Sequence, residues 1–330
     1  MNNPPLISII TPTLNNEKVL ASFLKSIRSQ NYPQNNVEIL ILDGGSTDQT
    51  IQIAKKYGAK TYFNKKILPD PGVDLGIKNA TGEIMMILAV DNIYKNKDAF
   101  TAIVKVFEDL SICAAFPKQC SSVADSIFTK YINTFTDPFN HFVYGNAANA
   151  RTFHKIYSRL QHNDIYDVYD FRSSLAKPLI AFAQGFALRR GYKRDEKDAL
   201  DDLGPVISLI EKNKKIAYIH SLSLYHDTVR DLNHFIRKQK WATINALLNK
   251  SYGIAHRINK LSRYQKFKIK IWPFYGLSII FPFIRSVYGL FSDKEILWLF
   301  HPIICLISVY SSLVSAIHLQ INKDAIINRQ

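Results

Sequence analysis

The sequence predicts an α/β fold: a mixed, mainly parallel sheet flanked by helices, with hydrophobic helices at the C-terminus. Three observations carry this. Short apolar runs alternate with amphipathic helical segments through the first hundred residues. Three of those runs end in polar clusters, Thr11-Pro12-Thr13, Asp43-Gly44-Gly45-Ser46 and Asp91-Asn92, and such sheets bind ligands at the carboxyl ends of their strands. The last sixty or so residues are mostly apolar and follow a basic stretch.

The elements read in order. Leu6 to Ile10 is a buried strand ended by Thr11-Pro12. Glu17 to Gln30 sets Val19, Leu20, Phe23, Leu24 and Ile27 on one helical face. Val37 to Leu42 is a second buried strand, and Thr47 to Tyr57 a helix stopped at Gly58. Ile84 to Val90 is a strand and Asp98 to Asp109 a helix. Ser111 to Lys177 is less regular and rich in aromatics, Asn and Asp. Phe186 to Leu188 reads as a strand, Leu203 to Lys212 as a helix with Pro205 near its start, and Ile216 to Ile219 as a short strand. Asp231 to Leu248 is amphipathic. This organisation divides the chain into residues 1–230 (parts 1–110 and 111–230), a basic helical region 231–270 and a hydrophobic hairpin 271–330.

Length and composition bound the partners. At 330 residues with 47% hydrophobic side chains, the chain suits one large domain with an appendage, or two domains, and is not globally disordered. Cys113, Cys120 and Cys305 form neither a metal-ligand spacing nor a disulfide framework, as expected of a reducing compartment. Met1 to Pro5 lack signal-peptide character, so the N-terminal part is expected in the cytoplasm. Of the net charge of +15, ten Lys/Arg lie between Arg237 and Lys270 with no acid among them. Trp272 to Phe291, with Pro273, Pro282 and Arg285, and the uncharged Ile296 to Leu319 follow at once. The latter's 24 residues cover roughly 36 Å as a helix, enough for a bilayer core. A basic run on the cytoplasmic side of apolar segments indicates an anionic membrane surface, with a membrane hairpin or a pair of interfacial helices. The competing reading is a buried hairpin in a soluble domain. No reader motif accompanies the charge, which excludes nucleic acid. No G-x-G-x-x-G follows the first strand, which disfavours a dinucleotide oxidoreductase.

Asp43 to Asp48 follow a strand and open a helix. The glycines permit the turn, Ser46 or Thr47 is placed to cap the helix, and Asp43 is aimed out of the sheet end toward a base or ribose. The flanking text adds specificity. Ser8-Ile9-Ile10-Thr11-Pro12-Thr13-Leu14-Asn15, Leu24-Lys25-Ser26-Ile27, Gln30-Asn31-Tyr32-Pro33, Glu38 through Asp48-Gln49-Thr50, and Gly76-Ile77-Lys78-Asn79-Ala80-Thr81-Gly82-Glu83 closely resemble the family 2 glycosyltransferases of the GT-A fold, in their membrane-attached subgroup. The likeness is specific over residues 6–92 and traceable to about Trp241.

The resemblance implies a nucleotide-diphospho-sugar donor, UDP- or GDP-linked, bound by Thr11, Pro12, Thr13, Glu17, Asp43, Gly44, Asp74, Asp91 and Asn92. Asp91 stands where the family places the last carboxylate of its D-x-D, but Ala89 replaces the first, and Val73-Asp74 replace an Arg-Asn pair. A divalent cation, Mg²⁺ or Mn²⁺, held largely by a diphosphate still needs few protein oxygens. The resemblance assigns it to Asp91 and His226. It puts Gln184 and Gly185 on the acceptor side and a general base at Asp202, or Asp201. Arg237 to Trp241 loosely resembles a Q-x-x-R-W segment, which implies a Lys or Arg set against the diphosphate, or simply belongs to the basic face. Asp137-Pro138-Phe139 resembles an Asp-Pro element beside the acceptor pocket, or marks a turn. The implied activity is inverting transfer to a saccharide or polyprenyl-linked acceptor at a membrane. The alternatives are a polyprenyl-phosphate sugar synthase and a membrane-bound nucleotide-sugar binder without turnover.

Overall fold

The computed structural model describes residues 4–192, 203–248 and 257–321. Strand β1 (Ile7–Thr13) pairs in parallel with β2 (Val37–Asp43) and with β4 (Ile84–Ile87), and β2 pairs with β3 (Lys60–Phe63). Both faces of β1, β2 and β4 are covered, which is why these three read as uninterrupted apolar runs. Ile7, Ile9, Ile39 and Ile41 share one core with Phe23, Leu24 and Ile27 of α1 (Glu17–Arg28) and Phe100 and Ile103 of α4 (Ala99–Val106). Ile10, Leu40 and Leu42 face the opposite core. There α3 (Pro69–Asn79) comes so close that a Cβ on Gly76 would stand 2.3 Å from Ile10 Cγ2.

Beyond β4 the sheet becomes mixed. Its order is β3-β2-β1-β4-β9-β6-β10-β8-β7, where β9 is Phe186–Arg189, β6 Ile112–Cys120, β10 Lys215–His226, β8 Asp167–Asp170 and β7 Ser158–His162. The two-residue β5 (Asn92–Ile93) pairs antiparallel with the end of β10, His226 opposite Asn92. All ten strands among the described residues belong to one sheet.

Several boundaries differ from the sequence reading. β4 stops at Ile87, not Val90, because Ala89 to Asn92 form a turn closed by Asn92 N–H to Ala89 O at 3.0 Å. Helix α2 (Thr50–Lys56) starts three residues after Thr47, and neither Ser46 nor Thr47 caps it. Ser46 instead donates its hydroxyl to Asp43. The strand expected at Ile216–Ile219 is twelve residues long, because an irregularity between Ile219 and Ser223 lets it continue past His220 and Ser221. The stretch 111–177 holds β6 to β8 and helices α5 (Ile127–Phe135) and α6 (Pro138–Tyr144).

After α7 (Gly204–Glu211) come α8 (Leu232–Leu248), α9 (Arg263–Ser278), α10 (Ile280–Asp293) and α11 (His301–Ile321). The apolar stretch Trp272–Phe291 is therefore parts of two helices. They meet at 91°, and the break falls at Ile279 (φ 57°) rather than at either proline. Pro282 sits in the first turn of α10, where its missing N–H is harmless. Ile296–Ile321 is long and apolar enough to cross a membrane. Its inner face is polar and small: Ser308 donates to Gln239 (2.8 Å), Thr243 to Ser312 (3.0 Å), and Gly276 of α9 lets Val309 approach. Ile303, Tyr310, Val314 and Ile317 point outward.

The junction of β1, β2 and β4 is held by one carboxylate. Glu38 accepts from Ser8, from Thr81 N (2.5 Å) and Thr81 Oγ1 (2.8 Å), and from Lys60 (3.0 Å). Gly82 N donates to Ser8 Oγ at 2.7 Å, and a Cβ on Gly82 would lie 2.6 Å from the Ser8 backbone nitrogen. Burial pushes the Glu38 carboxyl up, but the bonds from Ser8, Thr81 and Lys60 overcome this and hold it down at about 2. A lowered carboxyl stabilises the fold above its ordinary value and loses that contribution as pH falls through the folded one. Glu38→Gln is expected to lower the thermal midpoint at neutral pH, and its gap from wild type to close between about 4.5 and about 2. Midpoints measured across that range check this; a pH-independent gap contradicts it.

Candidate active site

Two loops at the carboxyl ends of β1 and β2 are stitched together by backbone donors. Asn15 N–H donates to Ser46 Oγ (2.8 Å), Thr47 N–H to Asn15 Oδ1 (2.9 Å) and Asn16 N–H to Thr50 Oγ1 (2.8 Å). Glu17 and Asp48 complete the seam: Gln49 N–H donates to Glu17 Oε2, and Glu17 N–H to Asp48 Oδ2, both at 3.1 Å. Gly44 N–H donates to Thr13 O at 2.9 Å. Asp43, 7% exposed, accepts from Gly45 N (3.0 Å), Ser46 N (2.9 Å) and Ser46 Oγ (2.5 Å). Its carboxylate is thus locked by its own loop, with lone pairs left for one further donor. Thr11 and Gly44 are sealed from solvent, and Thr11 Oγ1 has no hydrogen-bond partner among the described residues. Pro12 is partly open and packs against α3 at Gly72. Asp74 lies on α3 and pairs with Lys78 at 2.8 Å.

The third cluster is assembled by the β5–β10 pairing. It brings Asp91 Oδ2 to 3.5 Å from His226 Nε2. The imidazole is 6% exposed, whereas the Asp91 side chain is 30% exposed, so the pair opens on the carboxylate side. Asn92 donates to Asp91 Oδ1 (3.2 Å) and to Gln184 Oε1 (2.8 Å). Gly185 (φ 69°) turns the chain into β9; a Cβ there would meet Leu224 at 2.6 Å. Gln184 and Gly185 are thereby tied to the turn that carries Asp91. Burial pushes the Asp91 carboxyl up, and His226 and then Lys238 more than reverse it, leaving it below the ordinary carboxylate value. Lys238 lies on α8 and donates to Thr228 O (3.1 Å) and Thr228 Oγ1 (2.5 Å). Desolvation lowers its pKa, and Asp91 leads the opposing contributions. Lys238 is thus the cation of the Arg237–Trp241 segment whose charge acts on Asp91.

Asn133 on α5 was invisible to sequence reasoning and orients this cluster. Its Nδ2 donates to His226 O (2.8 Å), Ser121 Oγ (2.9 Å) and Cys120 O (3.1 Å), which leaves Oδ1 toward His226 Nδ1 at 2.9 Å. An amide oxygen only accepts, so Nδ1 carries a proton and Nε2 is the nitrogen facing Asp91. A carboxylate and an imidazole lone pair held face to face require a proton or a metal ion between them. One ring nitrogen tied to a buried acceptor with the other presented beside a carboxylate is how protein metal ligands are commonly oriented. The donor set fits a divalent ion with much of its coordination left to another ligand.

Asp201 and Asp202 lie outside the described residues. Asp137 caps α6, accepting from Asn140 N at 3.1 Å with Pro138 at the first helical position. A different group, His162, Asp167 and His220, clusters at the β7–β8 edge, where Arg159 also approaches Asp167 at 3.6 Å.

The glycosyl transferase family 2 model matches residues 8–174, just over half of the chain; the chain belongs to that family. Over 88 residues, 24% of the chain, it is 41% identical to a dolichyl N-acetyl-α-D-glucosaminyl phosphate 3-β-D-2,3-diacetamido-2,3-dideoxy-β-D-glucuronosyltransferase of Methanococcus voltae, covering 27% of that protein. Over 179 residues, 51% of the chain, it is 28% identical to the poly(ribitol-phosphate) β-N-acetylglucosaminyltransferase TarS of Staphylococcus aureus, covering 30% of that protein. The match thus spans less than a third of either relative. Among solved structures, a mannosyltransferase from Pyrobaculum calidifontis in complex with GDP-Man and Mn²⁺ superposes with a TM-score of 0.53 at 13% identity, over 94% of this chain and 87% of that one. Residues 1–349 of S. aureus TarS give 0.51 at 14%, over 94% and 90%. At such identities the likeness is one of fold, and the fold is the expected GT-A arrangement.

The tautomer argument makes a spectroscopic prediction. Side-chain ¹⁵N shifts of His226 should report a protonated Nδ1 in the wild type and a mixture of tautomers in Asn133→Ala. An unchanged spectrum in the variant would mean that another contact fixes the ring.

Proposed function

We propose that the chain is an inverting glycosyltransferase that moves a sugar from a UDP- or GDP-linked donor to a saccharide carried on a membrane lipid. The observation that carries this reading is the pairing of Asp91 with His226 at 3.5 Å, beside loops bearing Pro12, Thr13, Glu17 and Asp43. In this reading the loops hold the nucleoside, with Thr11, Gly44 and Asp74 shaping their base. Asp91, Asn92 and His226 face the diphosphate. A Mg²⁺ or Mn²⁺ ion there would neutralise charge on the departing nucleoside diphosphate. Lys238 adds a fixed positive field on the same side. Gln184 and Gly185 align the acceptor, and Asp202, with Asp201 as the alternative, takes the proton from its hydroxyl.

Residues 1–230 carry the transfer in this scheme, in a donor part (1–110) and an acceptor part (111–230). Residues 231–270 and 271–330 attach it to the cytoplasmic face of a membrane. Support comes from the basic run, from the apolar Ile296–Ile321, and from the outward row Phe281, Phe283, Ile284, Val287, Tyr288 and Phe291 on α10. Aromatics and aliphatics exposed in this way suit the bilayer interface. The M. voltae relative is named for an acceptor on a lipid phosphate, which points the same way.

Asp91→Ala should lower transfer on the order of 10²–10³-fold and abolish the Mn²⁺-dependence of nucleotide binding measured by thermal shift. Chelator-insensitive turnover that survives the substitution would sink the metal role, and donor binding without any turnover in the wild type would favour a non-catalytic binder, the reading that Ala89 keeps open. Asp202→Asn should cost on the order of 10²–10⁴-fold if the acceptor is a hydroxyl; full activity would point to a phosphate acceptor and a polyprenyl-phosphate sugar synthase.

A further inference from the structure

A cavity of about 210 Å³ lies where α5 and α6 and the segment after them meet α10. Three cations line it. Arg151 pairs with Glu295 at 3.2 Å and Lys155 with Asp293 at 2.6 Å. The third, Arg285, has no carboxylate partner among the described residues, and its Nη1 is buried without a hydrogen bond. The guanidinium is nonetheless held rigidly. It stacks 4.1 Å above the Trp298 ring, whose Nε1 donates to Asp293 at 3.0 Å and whose carbonyl accepts from Ser286 at 2.7 Å. Gly289 makes room for that ring, since a Cβ there would lie 2.2 Å from it. The field of Arg285 reaches His141 in the same wall, pushed down to about 3 by burial first and by that charge second.

A buried, charged donor without an acceptor is costly and is rarely kept unless something fills it. The forked donors of arginine match the oxygens of a phosphate. The cavity is smaller than the ~300–1,000 Å³ of pockets that enclose a drug-sized ligand, which suits a single headgroup and not a nucleotide sugar. The helix that carries Arg285, α10, also exposes Phe283, Ile284, Val287 and Tyr288. We propose that this cavity seats the phosphate of a membrane lipid against Arg285. The proposal deepens, and rests on, the lipid-linked acceptor reading. The wall is continuous with the candidate active site: Asn149, in the lining, donates to Asn133 O at 3.1 Å, and the Asn133 side chain holds His226.

The test uses the full chain in phosphatidylcholine nanodiscs without nucleotide. The nanodiscs are doped with a polyprenyl phosphate or, in a second arm, with phosphatidic acid at equal charge; a third arm adds only inorganic phosphate. Wild type should gain thermal midpoint with phosphate lipid. A gain from polyprenyl phosphate alone assigns the site to the acceptor, and an equal gain from phosphatidic acid assigns it to membrane lipid in general; both support a lipid-phosphate seat. Arg285→Met should bind the lipid roughly tenfold or more weakly, with a ligand-free midpoint unchanged or higher because an unpaired charge is gone. Asn146→Asp, which puts a negative charge in the wall while sparing the Arg285–Trp298 stack, should weaken binding likewise. No gain in wild type, an equal gain in both variants, or a response to inorganic phosphate alone overturns the proposal. Attraction of the basic run to anionic lipid is common to all variants and cancels. Because no transfer is read, failure here leaves the donor-site reading standing, and failure of Asp91→Ala to alter transfer leaves this one standing.

Discussion

The buried amide of Asn133 is the constraint on which the arrangement around His226 depends. It joins the end of β6, through Cys120 O and Ser121 Oγ, to the end of β10, through His226 O and Nδ1. These strands are already neighbours, and the amide oxygen at Nδ1 leaves Nε2 turned toward Asp91. A buried amide is stabilising only while its partners are present, and in a low dielectric the loss of one leaves the rest exposed to the desolvation penalty. The same helix turns Tyr131 and Phe135 into a cluster with Trp298 and Ile304. The position of the imidazole is therefore coupled to the packing of the C-terminal helices. Those helices are not simply an appendage: they press on the element that orients a candidate ligand.

The first half of the chain was legible because of double burial. When helices cover both faces of a strand, every position is apolar and the run ends abruptly where the backbone reaches solvent. That abruptness located Thr11–Thr13, Asp43 and Asp91. The Gly76–Glu83 segment, met first as a family likeness, acquires a physical reason. Gly76 clears Ile10, Gly82 clears the Ser8 backbone, and Thr81 feeds Glu38. The second half was less legible for equally physical reasons. β6 carries Pro117, Lys118 and Gln119 in its outer half, so hydrophobic patterning fades before the strand ends. β10 passes through an irregularity that breaks its alternation at His220 and Ser221. Asn133 sits within an amphipathic helix whose buried positions include Thr129 and Asn133 alongside Tyr131 and Phe135; a polar residue inside a helix says nothing by itself about what it binds. The right-angle turn at Ile279 carries neither glycine nor proline, so no local signal marks it.

The polar groups of the molecule sort by how fully the chain satisfies them. Glu38 collects four donors from its own surroundings and reads as a structural anchor; Asp43 collects three from its own loop and keeps room for one more. Ser208 and Tyr94 have buried hydroxyls without partners among the described residues, but they are neutral and their cost is modest. Two places differ in kind. At Asp91 a partly open carboxylate faces an imidazole nitrogen, an arrangement that takes a proton or a metal ion between them. At Arg285 a guanidinium has a buried donor with no acceptor among the described residues. A folded chain tolerates uncompensated charge chiefly where function supplies the missing partner. The charges at the two are opposite in sign, and the two sites share a wall through Asn133 and Asn149. That is the pairing a transferase needs if it is to hold a charged donor and the phosphate of a lipid carrier on one rigid element.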